Sequence, residues 1–160
     1  NVGANAPEEY GDYFAWGETS PKESYTDDNC LTYGVSMTDI SGNPQYDAAT
    51  ANWGGTWRMP TQIERQELIE SCSWEFIAIN NVNGMRVTGP NGNSIFLPAA
   101  GYCDNVTWYD VGRGVNYWCS TSYNSSNTLS WTIYVNNNET FGIGWDLRSH
   151  GRSIRPVIDK

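Results

Sequence analysis

Apolar and polar residues alternate along the last third of the chain, from Asn116 to Val157. Alternation with a period of two is typical of strands that bury one face of a sheet. The pattern predicts strands at Tyr117–Ser120, Leu129–Val135, Phe141–Trp145 and Ser153–Val157. In the second strand it points three side chains inward, Trp131, Ile133 and Val135, and three outward, Thr132, Tyr134 and Asn136. Scaffold roles are predicted for Trp118, Ile154 and Val157.

A helix is predicted from Thr61 to near Ser73. Thr61 and Glu64 have the spacing of a capping box, in which each side chain accepts a hydrogen bond from the other residue's backbone N–H. The apolar side that follows consists of Ile63, Leu68, Ile69 and Cys72. The acidic residues of this helix, Glu64, Glu67 and Glu70, are interpreted as a solvated face rather than as catalytic carboxylates.

Short elements are predicted on both sides of this helix. Before it come a strand at Tyr13–Trp16, a long polar loop over residues 25–46, and a short helix at Tyr46–Asn52. After it come strands at Trp74–Ile79 and Met85–Thr88, a turn at Asn91-Gly92 with positive φ at both positions, a strand at Ser94–Leu97, and a loop over residues 104–110. The whole, residues 1–160, is predicted to be one α+β domain with at most two helices and a mostly antiparallel sheet.

The charge of the chain excludes two classes of partner. A formal net charge of -9, with only nine Lys and Arg residues, leaves no basic stripe to neutralise nucleic-acid phosphates. The same deficit disfavours a polybasic membrane-surface role, and no apolar run approaches the length of a transmembrane helix. Eight Trp and ten Tyr, together with many Asn, Ser and Gly residues, are the mixture found in contact surfaces, although most such rings fill cores.

Candidate catalytic chemistry is sparse. The chain has one histidine, His150, and it lacks a nucleophile elbow, a phosphate-binding glycine loop and a Cys-x-x-Cys motif. Asp27-Asp28-Asn29 lacks the alternating spacing of a calcium loop. We therefore predict no enzyme, no resident metal and no cofactor. Calcium is considered only as an incidental ligand of Asp104, Asp110, Glu139 and Asp146.

The four cysteines, Cys30, Cys72, Cys103 and Cys119, allow three full pairings, among which spacing cannot choose. An even count in an acidic, Lys-poor chain favours an extracytoplasmic protein with disulfides. The alternative is that several of these residues are buried free thiols.

Several segments resemble one known family. They are Asn1–Ala4, Glu9–Glu18, Trp53–Thr61, Gly92–Gly101, Tyr117-Trp118 and Gly151–Val157. Together they are similar to the Fibrobacter succinogenes major paralogous domain of secreted and surface lipoproteins. The resemblance implies a C-type lectin-like fold, a location outside the cell or on the bacterial surface, and a strand upstream of Asn1.

Two cysteines depart from this family pattern. Similar sequences often carry Arg and Ser where this chain has Cys103 and Cys119. The joint change implies a Cys103–Cys119 bridge, with Cys30 and Cys72 paired with each other or with an upstream cysteine.

The same fold is used by the variable proteins of diversity-generating retroelements, in which variation concentrates in the last third. The resemblance therefore implies a ligand-binding surface on the C-terminal loops and raises the hypothesis that it is hypervariable. The predicted display positions are Tyr109, Asp110, Arg113, Asn116, Tyr123, Asn124, Asn127, Trp145, Asp146, Arg148 and His150. For each, the alternative is a purely structural role, and Trp145 is the sharpest candidate because it lies in a Gly-rich polar stretch.

Three functions follow as hypotheses. The first is an extracellular ligand-binding or adhesion module that recognises a protein receptor or a glycan on a cell surface. The second is a glycan-binding accessory module, in which Trp and Tyr stack on sugar rings. The third is a structural domain of a surface lipoprotein with no ligand of its own. The Glu-Pro-Asn and Trp-Asn-Asp triplets of calcium-dependent lectins are absent from the sequence.

Overall fold

A computed structural model describes residues 1–136 and 141–158, with only the backbone described for Asn136 and Phe141. It contains the helices α1 (Ala48–Trp53) and α2 (Gln62–Ser71) and a 3₁₀ helix at Asp27–Asn29. The strands are β1 (Trp57–Arg58), β2 (Ser73–Ile79), β3 (Val82–Thr88), β4 (Ser94–Pro98), β5 (Tyr102–Asp104), β6 (Thr107–Tyr109), β7 (Gly114–Ser122), β8 (Leu129–Asn136), β9 (Phe141–Leu147), β10 (Gly151–Arg152) and β11 (Val157–Ile158).

These strands form four antiparallel sheets. Two are meanders of sequential strands, β2-β3-β4 and β7-β8-β9, and two join distant parts of the chain, β10-β5-β6 and β1-β11. The predicted class, α+β with mostly antiparallel strands and two helices, is thus confirmed. In the described part of the chain, no helix is both long and apolar enough to cross a bilayer.

Both predicted helices are confirmed, and both start at a side-chain cap. The Asp47 carboxylate accepts hydrogen bonds from the N–H groups of Ala49 and Thr50 at the start of α1. Thr61 and Glu64 form the predicted capping box of α2. One part of the predicted apolar side of α2 is wrong, because Ile63 is 75% exposed whereas Arg65 is buried.

The buried apolar residues form separate clusters, two of which include residues of the β7-β8-β9 sheet. One cluster packs Phe14, Trp16, α1 residues, Met59, Trp118 and Ile154 together. A second cluster lies between the two meanders and receives Leu68 and Ile69 of α2. The predicted scaffold roles of Trp118 and Ile154 agree with this burial, and Val157 is half-buried.

The inward and outward assignment in β8 is confirmed for Ile133, Val135 and Tyr134, but not for Thr132 and only in part for Trp131. Ile133 and Val135 are buried, Trp131 is half-buried and Tyr134 is exposed. Thr132 was expected to face outward but is buried, because its hydroxyl donates to the Tyr117 carbonyl on β7. The side chain of Asn136 lies outside the described residues.

Other element boundaries also differ from prediction. The segment predicted as a strand at Tyr13–Trp16 is buried from Phe14 onwards, and it forms an isolated bridge between Phe14 and Arg152 instead of a strand. The segment predicted as a loop near residues 104–110 contains most of the β5–β6 hairpin. The expected strand Ser153–Val157 is replaced by two short strands on either side of it, β10 and β11.

Candidate ligand-binding surface

The positions predicted to face a ligand fall into three groups. The exposed ones are Tyr109, Asp110, Arg113, Asn124, Asn127 and Trp145, and the half-buried ones are Tyr123, Asp146 and His150. Asn116 and Arg148 are buried. Contacts bring some of these residues together in two separate aromatic groups.

The first group is a row of rings on the β7-β8-β9 sheet, here called the ring row: Tyr123, Trp131 and Trp145. Trp131 and Trp145 are direct cross-strand partners in β8 and β9. The Tyr123 ring centroid lies 4.7 Å from that of Trp131 and 5.7 Å from that of Trp145. Trp145 is 55% exposed despite these contacts. The row therefore offers solvent a large aromatic surface whose conformation is restricted by neighbouring rings.

The second group, here called the hairpin stack, consists of Tyr109, Tyr102 and His150. Tyr102 and Tyr109 are cross-strand partners in the β5–β6 hairpin, and their rings stack with centroids 5.2 Å apart. The His150 ring stacks on Tyr102 at 5.7 Å. The Arg152 guanidinium lies 4.7 Å from the Tyr102 ring centroid, a cation–π contact. Tyr109 is the exposed end of this stack.

A network of polar side chains fixes the position of His150. Its Nδ1 lies 2.9 Å from Asp146 Oδ2, and its Nε2 lies 3.7 Å from Asp104 Oδ1. Arg152 also donates to Asp146 through Nε and Nη2. Burial would raise the pKa of Asp146, but the hydrogen bond from His150 and the charge of Arg152 outweigh it and lower that pKa to about 2. The Asp146 carboxylate is thus hydrogen-bonded within the protein, to His150 and Arg152.

A cavity of about 380 Å³ opens beside the hairpin stack. Its lining includes Asp27, Asp28, Asp104, Ser149 and His150. Ser149 donates its hydroxyl to Asp27 over 2.6 Å, and the carboxylates of Asp28 and Asp104 add oxygens that can accept hydrogen bonds from ligand hydroxyls. Despite these acids, the described residues contain no group of three or more His, Cys, Asp or Glu arranged to hold a metal ion. Glu139, also considered as a calcium ligand, lies outside the described residues.

The prediction that Arg148 is displayed is wrong. Its side chain is fully buried and its guanidinium donates to five oxygens: Ser130 Oγ and the carbonyls of Thr32, Val35, Met37 and Ser126. The guanidinium also lies 4.2 Å from the centroid of the Trp16 ring. Arg148 therefore fastens the long loop of residues 25–46 to the sheet.

Asn116 is not displayed either. It is 7% exposed, and its Oδ1 accepts a hydrogen bond of 2.9 Å from Arg152 Nη1. Asn116 thus supports Arg152, which in turn supports the hairpin stack. Two exposed positions have a backbone explanation: Asp110 and Asn124 adopt φ of 55° and 44°, a region that Asp and Asn tolerate in turns.

The Cys103–Cys119 bridge is not formed, and all four cysteines are free thiols. Cys103 on β5 packs with Tyr25 and Cys30, and its thiol donates to the Asn105 carbonyl. Cys119 lies on β7 next to Trp118, in a different part of the core. Burial raises the pKa of Cys119 to about 12. The two residues occupy separate buried environments, so their joint departure from the family pattern does not correspond to a bond here.

No protein-family model, no curated protein and no solved structure matches the chain. The resemblance to a known family therefore stays a prediction.

Three aromatic residues of this surface were not predicted as display positions: Tyr102, Trp108 and Trp131. Trp108 is 52% exposed and makes an edge contact with Tyr13 at 4.5 Å. The β5–β6 hairpin was predicted as a loop, and this hid the alternation that places Tyr102 opposite Tyr109. Trp131 was assigned to the core by the same alternation that correctly buries Ile133. It is only half-buried because it lies near the start of β8, where the core does not cover it fully.

Proposed function

We propose that the chain is a ligand-binding module of C-type lectin-like fold, secreted or carried on a bacterial surface, which binds a protein receptor or glycan through the ring row. Its mixed α+β architecture with mostly antiparallel sheets is compatible with that fold. The observation that carries the proposal is the 55% exposure of Trp145 within ring contacts to Tyr123 and Trp131.

Exposure of an aromatic ring to water is unfavourable in free energy, and covering the ring with a partner contributes to binding. A Trp side chain has only two rotatable side-chain bonds, so its ordering costs little entropy when a partner covers it. Truncating a central Trp of an interface typically costs about 2 kcal/mol or more of binding free energy. Because Tyr123 and Trp131 restrict Trp145 before binding, little further ordering is needed.

The hairpin stack favours a second candidate function, a glycan-binding accessory module. Tyr109 offers an exposed ring for a sugar face, and Asp104 and the neighbouring cavity offer oxygen acceptors for hydroxyl groups. The hairpin side thus combines an exposed ring with adjacent oxygen acceptors, the two features with which a protein holds a sugar ring.

Binding to a glycan array, with calcium and again with a chelator, tests both functions. Wild type is compared with Trp145→Ala, Tyr109→Ala and the control Tyr134→Ala, whose ring is 39% exposed on the other face of β8. Selective binding that is lost only in Trp145→Ala supports the ring row, and loss only in Tyr109→Ala supports the hairpin stack. Loss on chelation would show that an ion takes part.

A blank array is followed by binding of the tetramerised chain to intact cells before and after protease treatment. Protease-sensitive binding that Trp145→Ala abolishes would support a protein receptor. If the array is blank and no cell type binds, or if Trp145→Ala binds as wild type does throughout, the proposal for the ring row is refuted.

A further inference from the structure

A second cavity lies between the N-terminal segment, the end of α1, α2 and the β1-β11 pair. Its volume is about 610 Å³, within the range of small-molecule sites. Its apolar walls include Trp53, Trp57, Leu68, Ile95, Pro156 and Ile158. Trp53 and Ile158 are 42% and 51% exposed, so these walls are open to an occupant. No residue of the ring row or hairpin stack lines this cavity.

Two arginines, Arg65 of α2 and Arg155 before β11, line the same cavity. Arg65 is 2% exposed, and its Nε has no hydrogen-bond partner among the described residues. Its Nη2 donates to the Arg155 carbonyl over 3.3 Å, which ties the two residues together. Burial lowers the pKa of both guanidinium groups. Both nevertheless remain cations, because arginine does not lose its proton in proteins.

These two cations lack a carboxylate partner in the described part of the chain. Glu64 is the acidic residue lining the cavity, but Arg58 holds its two oxygens at 2.6 and 2.8 Å. Arg155 makes no ion pair and no side-chain hydrogen bond with any described residue. A buried cation without a counter-charge is costly, and this chain has a net charge of -9 with abundant acids. The arrangement therefore leaves a place for an anion from outside.

We propose that this cavity binds a small organic carboxylate with an apolar, ring-bearing body. The guanidinium groups of Arg65 and Arg155 match the planar geometry of a carboxylate, which accepts paired N–H donors. The apolar walls bury the body, and the edge-to-face pair of Trp53 and Trp57, with centroids 4.9 Å apart, suits an aromatic ring. This site is independent of the function proposed for the ring row.

The test is calorimetric titration of the chain with 3-phenylpropionate, its neutral amide 3-phenylpropionamide, and inorganic phosphate. We expect the carboxylate to bind with a Kd below about 1 mM. The amide has the same body but no charge, and we expect it to bind at least ~10-fold more weakly, since hydrogen bonds to charged groups are the stronger ones. Comparison of these two ligands needs no variant and so cannot be confused with a folding defect.

Variants then locate the site. Arg155→Met should remove most of the preference for the carboxylate over the amide while keeping the backbone carbonyl that Arg65 uses. Arg86→Met is the matched control, because Arg86 is 48% exposed, pairs with Glu75 and does not line the cavity. Trp145→Ala should also bind the carboxylate as wild type does, which separates this site from the ring row.

Three results would overturn the proposal. They are equal affinity for the carboxylate and its amide, an unchanged preference in Arg155→Met, and the absence of carboxylate binding in the millimolar range. Phosphate binding as tightly as the carboxylate would overturn the assignment of an apolar body, and would indicate a site for free anions.

Discussion

Replacing Arg148 by Met removes the donor of five hydrogen bonds while keeping much of the side-chain volume. Two acceptors, Ser130 Oγ and the Thr32 carbonyl, are fully buried and would be left without this donor. Each such loss costs about 1–3 kcal/mol. Water can reach the acceptors that are partly buried, the carbonyls of Val35, Met37 and Ser126. Part of the loss is offset because a buried cation is no longer desolvated. We expect a net loss of about 3–5 kcal/mol in the free energy of unfolding.

Urea unfolding followed by circular dichroism measures this loss, and a thermal scan should show a Tm lower by about 6–20 °C. Arg148→Lys retains the charge but has three donors on one atom, so we expect it to lose most of the same stability. The control is Arg113→Met, at an exposed arginine, with an expected change within about 0.5 kcal/mol. A loss below about 1 kcal/mol in Arg148→Met would refute the view that this residue fastens the loop of residues 25–46.

Three further predictions concern titration, thiol reactivity and backbone geometry. Asp146, whose pKa is about 2, contributes stability above its ordinary value of 3.8, and this is lost as the pH falls towards 2. Asp146→Asn should therefore be less stable than wild type in urea at pH 7, and equal to it near pH 2. Brief alkylation of the native chain, followed by mass spectrometry, should label half-buried Cys72 before buried Cys119. Alkylation after denaturation should label four thiols, and a smaller number would contradict the assignment of free cysteines. Gly101→Ala should lower the Tm, because φ is 62° there and the new Cβ would collide with the Tyr109 carbonyl; an unchanged Tm would contradict this.

Turn chemistry was the least predictable part of the β2-β3-β4 meander. Asn80 and Asn81 both adopt positive φ, 49° and 65°, and join β2 to β3 directly through the pair Ile79–Val82. The predicted strands, Trp74–Ile79 and Met85–Thr88, left all five residues 80–84 between them as a longer connection. Gly84 instead lies within β3, where an added Cβ would collide with the Leu97 carbonyl. Asn and Gly both permit positive φ, so the sequence alone does not indicate which one forms the turn.

The turn at Asn91-Gly92 also differs from the turn type that the sequence predicts. Gly92 has φ of 82°, but Asn91 does not have positive φ. Gly92 N–H donates to the Gly89 carbonyl over 3.0 Å, which places Pro90 and Asn91 at the centre of the turn. Pro90 fixes its own φ near −65°, and this favours a turn with negative φ at its first central position. The strand ends that flank this turn, Thr88 and Ser94, were predicted correctly because the alternation of the strands does not depend on the turn type.

Among the predicted display residues, the sequence did not reveal burial that depends on a distant loop. Trp145 and Tyr109 are both exposed; Trp145 lies on a strand as predicted, whereas Tyr109 was expected in a loop and lies at the end of β6. Arg148 has a similar local sequence context, with polar neighbours and a turn after it, but is buried. Its burial is decided by the loop of residues 25–46, whose carbonyls need donors because few of them pair in regular structure.

That loop also connects the buried arginine to the proposed binding surface. Arg148 holds the Ser126 carbonyl, and the Gly34 N–H donates to the Asn127 carbonyl over 2.8 Å, so the loop is tied to the turn that follows Tyr123. The Tyr123 ring in turn contacts Trp145 of the ring row. Arg148 is therefore a scaffold residue of the ring row, although it touches no solvent. Under conditions in which Arg148→Lys stays folded, we expect it to weaken any ligand binding that depends on Trp145. The reason is that the Tyr123 ring, and with it Trp145, would be held less firmly, although no direct contact with the ligand is lost.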